Sequence, residues 1–189
     1  VPVAQGLESP WALAFLPEGR FLVTERPGRL RVVEADGRLN PPVAGLPAVA
    51  AGGQGGLLDV VLDRGFASNR TLYFCFSEPA PAGAAGNSNA LARARLSEDR
   101  TRLEDLRVIF SQRSKVASSL HFGCRIVEGM KDGRPDGTLF LALGERAQRI
   151  LYESDDVDER DLLDALDALD QRYAIEAFDV ARLRADVEH

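Results

Sequence analysis

The stretch WALAFLPEGRFLVTERPGRLRVVEADG, Trp11–Gly37, decides the fold class. Trp11–Leu16 is an apolar run, and Pro17-Glu18-Gly19-Arg20 is a turn. Phe21–Glu25 alternates, Pro27-Gly28 turns again, Arg29–Glu34 alternates, and Asp36-Gly37 makes a third turn. Successive side chains of a strand point to opposite faces, and Pro-Gly and Asp-Gly pairs suit tight turns. Short strands punctuated this way predict a β meander.

The unit recurs along the chain. Leu57–Leu62, a loop through Asn69 and Thr71–Ser77 repeat it once. Cys124–Val127, a turn at Asp136-Gly137 and Thr138–Gly144 repeat it again. The endings Leu22-Val23-Thr24-Glu25, Phe74-Cys75-Phe76-Ser77-Glu78 and Leu141-Ala142-Leu143-Gly144-Glu145 are alike. A period of roughly 50–60 residues lies near the range of propeller blades. The expectation is a mainly β chain, a partial β-propeller of about two and a half blades over residues 1–149. Pro79–Asn89, rich in Pro, Ala and Gly, reads as an exposed loop.

After Arg149 the character changes. Residues 151–189 hold 13 acidic residues and four arginines, a net charge of −9, while residues 1–150 are net +3. Asp156-Val157-Asp158-Glu159 resembles a capping box, and Leu162, Leu166, Leu169 and Tyr173 share one helix face. Residues 150–189 are therefore expected to form an acidic helical tail, with a second short helix from Asp179 to Val187. Its aspartates read as a solvated face, since they lack the spacing of an EF-hand loop.

Composition excludes several classes. With 45% hydrophobic and 28% charged residues, the chain of 189 residues reads as globular. No apolar run reaches the ~20 residues of a membrane-spanning helix. No basic stripe interleaved with aromatics points to nucleic acid; Lys115 and Lys131 are the only lysines. A chain beginning at Val1 without an apolar leader reads as lacking a signal peptide or as having lost one. Cys75 and Cys124 lie in expected strands, where a buried free thiol is the usual state and a disulfide the alternative in an oxidising compartment. They cannot make a zinc site at that spacing. Asn69-Arg70-Thr71 matches a glycosylation sequon.

Chemistry concentrates in Ser118-Ser119-Leu120-His121-Phe122-Gly123-Cys124-Arg125, which holds the only histidine before the terminal His189. An imidazole titrates near neutrality, so it can accept a proton from a substrate hydroxyl. A lone histidine at a strand entry also has an ordinary structural reading.

Five stretches resemble the glucose/sorbosone dehydrogenase family. They are Gly6–Phe15, Val23–Leu30, Gly53-Gln54-Gly55-Gly56-Leu57-Leu58-Asp59, Leu120–Arg125 and Leu141–Arg146. The resemblance covers residues 1–146. It implies a six-bladed propeller that carries pyrroloquinoline quinone (PQQ) with Ca²⁺ and oxidises aldoses at C1 to lactones. It implies His121 as general base, Gln54 and Gly55 beside the cofactor, and Gln54 and Glu145 beside the sugar. Gln54 has an alternative reading as part of an inter-blade spacer, and Glu145 as a partner of Arg146 or Arg125. Leu120 stands where soluble glucose dehydrogenases carry an aspartate, and Cys124 where Ser or Gly is expected. The resemblance places the Ca²⁺ ligands and the cations that hold the quinone beyond residues 1–146, and it implies a periplasmic or secreted location. A second reading is a non-catalytic fragment that binds a protein partner or associates with itself through open sheet edges.

Overall fold

The computed structural model describes residues 2–113, 115–131, 134–144 and 179–184. It is mainly β, built from three antiparallel sheets. The first contains β1 (Pro10–Phe15), β2 (Phe21–Glu25), β3 (Arg29–Val33) and β4 (Leu39–Pro42) in sequence order. The second contains β5 (Leu57–Leu62), β6 (Thr71–Pro79), β7 (Asn87–Leu96) and β8 (Leu103–Ser111), with the short helix α1 (Phe66–Asn69) between β5 and β6. The third has β10 (Arg134–Leu143) between β9 (Cys124–Lys131) and β11 (Asp179–Arg184). Two four-stranded meanders followed by a third sheet are blade units laid side by side.

Side-chain parity explains the stacking. On β6, Leu72, Phe74 and Phe76 pack toward the first sheet, against Leu22, Leu30 and Val32. Tyr73 and Cys75 pack the other way, against Phe122, Ile126, Leu139 and Leu141. The second sheet is therefore buried on both faces, which is why Leu72–Phe76 is a continuous apolar run. The outer face of the first sheet is only partly covered: Val23 and Val33 on it are buried. Ala14 joins the core while Trp11, Leu13 and Phe15 on the opposite face of β1 are exposed.

Polar contacts register the sheets. The Thr24 hydroxyl on β2 donates to the Leu58 carbonyl on β5 at 2.6 Å. The buried Asp59 carboxylate on β5 accepts from Val60 N–H at 3.0 Å and from Ile126 N–H on β9 at 2.8 Å. A carboxylate in that position spends both oxygens on backbone donors that a purely apolar seam would leave unpaired.

Three expectations change. Cys75 and Cys124 are not free thiols: they form a disulfide that joins β6 to the start of β9. Asp136-Gly137 does not close a hairpin. It lies inside β10, where the pairing with β9 shifts register between Pro135 and Leu139. Pro135 cannot donate to the ladder, and Asp-Gly there accommodates an irregularity instead of a turn. Residues Asp179–Arg184 form β11, paired with Thr138–Leu143, where a helix was expected. Six residues are too few for periodicity to separate helix from strand, and the free edge of β10 supplies backbone partners. At the edge of the first sheet, β4 contains Pro41 and Pro42, which an edge strand tolerates. The capping box and the leucine face of 156–173 lie outside the described residues.

Candidate active site

The strand ends that carry the quoted loops gather at one end of the sheets. Antiparallel pairing sets Leu57 opposite Phe76 and Cys124 opposite Leu143. The loop before β5, the end of β6, the loop before β9 and the end of β10 therefore share a rim.

The loop before β5 is a tight reversal. Gly55 N–H donates to the Gly52 carbonyl at 2.8 Å, and the Arg26 guanidinium donates to the Gly53 carbonyl at 2.7 Å. Gln54 is held out at the tip, exposed. Gly55 is buried beneath it. A Cβ there would stand 2.8 Å from the Phe122 ring and 2.8 Å from Ser77 Oγ, so no larger residue fits without displacing them.

The loop before β9 meets this reversal twice. Gln54 N–H donates to the Ser119 carbonyl at 2.8 Å. Gln54 Oε1 accepts from His121 N–H at 2.8 Å. His121 is exposed, and its backbone is left-handed, with φ 59°. That conformation is uncommon for a residue with a Cβ, although histidine adopts it more readily than most. Gly144 closes the other side: its N–H donates to the Gly123 carbonyl at 3.0 Å, and a Cβ there would lie 2.2 Å from the His121 carbonyl oxygen. Phe122 turns inward to the core and Cys124 is tied to Cys75, so the loop is anchored directly after the histidine.

Two buried carboxylates flank this rim and titrate in opposite directions. Burial pushes Asp59 up, against the hydrogen bonds from Ile126 and Val60 and the charge of Arg125. Burial also acts on Glu25, but hydrogen bonds from Arg29 and from Glu8 N–H, with the charges of Arg29 and Arg31, outweigh it and hold Glu25 below the usual range. At the corresponding end of β6, Glu78 is paired with Lys115 and is likewise held down against the effect of burial.

The structure thus brings His121 and Gln54 together from positions 67 apart in sequence. It places Gly55 below them as packing. Glu145 lies outside the described residues. Among the described residues there is no group of three or more His, Cys, Asp or Glu side chains able to hold a metal ion. Sequence reading gave no role to Ser119, Arg26, Asp59 or Gly144. All four stood in quoted stretches, and Ser119 acts through its carbonyl, which leaves no side-chain signal.

The family model described as Glucose / Sorbosone dehydrogenase matches residues 7–161. The chain belongs to the glucose/sorbosone dehydrogenase family. It is 46% identical over 144 residues to the aldose sugar dehydrogenase YliI of Escherichia coli (strain K12), covering 76% of this chain and 37% of that protein. A crystal structure of a glucose dehydrogenase superposes with a TM-score of 0.69 at 46% identity, covering 77% of this chain and 41% of the other. The PQQ-bound aldose sugar dehydrogenase of Streptomyces coelicolor superposes with a TM-score of 0.63 at 30% identity, covering 82% and 43%. The chain therefore spans less than half the length of these members of the glucose/sorbosone dehydrogenase family, and its sheets match their propeller structures.

Proposed function

We propose that this chain contributes the general base and the adjoining amide to a PQQ-dependent aldose dehydrogenase that oxidises the sugar at C1 to a lactone. The observation that carries this reading is the Gln54–His121 hydrogen bond, which joins two loops of the family's motifs at one sheet end.

The residues at this end suit the reacting edge of a quinone and a sugar. Exposed His121 and Gln54 are joined through the His121 backbone, and the amide NH₂ of Gln54 can donate to a sugar or quinone oxygen. PQQ, when bound, would supply the acceptor for the hydride leaving C1. His121 takes the proton from the C1 hydroxyl as general base. Gln54 orients the sugar or quinone oxygen, and the Gly55–Phe122 contact seals the floor beneath. Glu145 is assigned to the sugar side on the resemblance alone. PQQ carries three carboxylates, and the resemblance assigns the cations that hold them to positions beyond residue 146. Ca²⁺ likewise belongs to this proposal through the family. The Cys75–Cys124 disulfide favours the periplasm or the exterior, where such bonds persist.

The test is to load the protein with PQQ and Ca²⁺, follow the quinone absorbance, and add glucose with a dye acceptor. Sugar-dependent reduction is expected, with His121→Asn binding the cofactor but losing turnover by about 10²–10⁴-fold. Turnover of His121→Asn at the wild-type rate would remove His121 from the role of base.

A further inference from the structure

We infer that Gln54 is a positioning residue, one whose side-chain oxygen fixes the backbone of His121, and that its contact with sugar or quinone is confined to its NH₂ group. This rests on the reading of His121 as the base.

The geometry separates the two halves of the amide. Oε1 is already engaged by His121 N–H at 2.8 Å. That N–H belongs to a residue held in the left-handed region, with φ 59°. An uncommon backbone conformation of this kind persists only where its surroundings hold it, and the Gln54 oxygen is one such hold. The backbone that carries the acceptor side chain is in turn held. Gln54 N–H is held by the Ser119 carbonyl, two residues before His121, and the preceding Gly53 carbonyl is held by Arg26. Gln54 therefore grips the histidine loop at both sides of Leu120. Leu120 is itself exposed and supplies no polar atom that could orient the imidazole. Positioning of His121 thus passes through its backbone, from the Gln54 oxygen on one side and the Gly144 close contact on the other.

The experiment compares Gln54→Leu with Gln54→Glu. Leucine keeps the backbone bond to Ser119 and removes the acceptor. Glutamate restores an acceptor oxygen and removes the NH₂ donor. The first readout is amide hydrogen exchange in the 189-residue chain, which needs no cofactor. Exchange at His121 should accelerate about tenfold or more in Gln54→Leu and return toward wild type in Gln54→Glu, while the amide of residue 54 stays protected in both. The second readout is turnover of the PQQ-loaded protein. kcat should fall about tenfold or more in Gln54→Leu and recover in Gln54→Glu, whose KM stays raised. Unchanged exchange at His121 in Gln54→Leu, or exchange in Gln54→Glu as fast as in Gln54→Leu, overturns the inference. Absence of turnover in the wild type would instead defeat the proposed function, while the exchange result still decides whether Gln54 fixes His121.

Discussion

His121 occupies a conformation that constrains which substitutions report on chemistry. Its φ of 59° costs little for Asn, whose short polar side chain tolerates the left-handed region, and more for a β-branched residue. His121→Asn is therefore expected to keep its thermal stability, while His121→Val loses about 1–2 kcal/mol. Thermal unfolding of the two variants checks this. Equal losses would mean that the left-handed backbone is not held in solution. The contrast also makes Asn the better probe of the base, because any loss of turnover then belongs to the imidazole. Histidine and glutamine were both legible as candidates from the sequence. Their hydrogen bond was not, because it uses the backbone of one and the side chain of the other.

At the scale of elements, two buried carboxylates behave in opposite ways, Asp59 between the second and third sheets and Glu25 within the first. Asp59, on β5, is raised by burial. A raised group binds its proton more tightly when folded, so its contribution is full below the unfolded value near 3.8 and is lost as pH rises through the folded value. Glu25, at the end of β2, is lowered by its arginines, so its contribution is present above about 4.5 and is lost as pH falls through the folded value. Urea unfolding against pH should show the advantage of wild type over Asp59→Asn shrinking as pH rises. The advantage over Glu25→Gln should shrink as pH falls. Parallel curves for the two variants would refute this assignment of opposite roles. Neither role could be read from composition. Glu25 ends an alternating strand and Asp59 sits in an apolar one; the stacking of sheets buries Asp59, and Glu8, Arg29 and Arg31 cover Glu25.

For the whole molecule, the disulfide is the one covalent tie between sheets among the described residues. It joins Cys75 to Cys124 across 49 residues of sequence, from the middle of β6 to a point three residues after His121. Closing a loop of that length is worth about 4 kcal/mol through the unfolded chain. A reductant, or Cys75→Ala with Cys124→Ala, is therefore expected to lower stability by about that amount, measured by urea unfolding with and without dithiothreitol. No change on reduction would mean that the bond is absent in solution. The same tie anchors the loop that carries the base, so hydrogen exchange around His121 should rise with reduction.

By itself the sequence determined the β meander, its recurrence, and the loops that hold the candidate chemistry. Those features are written in local chemistry: alternation, turn residues and short motifs that survive without long-range contacts. Tertiary structure alone decided the rest. Stacking buried both faces of β6 and left Trp11, Leu13 and Phe15 of β1 open. It paired Cys75 with Cys124, since a cysteine pair is chosen by distance between strands remote in sequence. It made Asp179–Arg184 a strand, because the free edge of β10 outweighed a weak local preference. It set Gln54 against His121 only once two neighbouring sheets had packed, because the bond spans two blades and no local interaction specifies it.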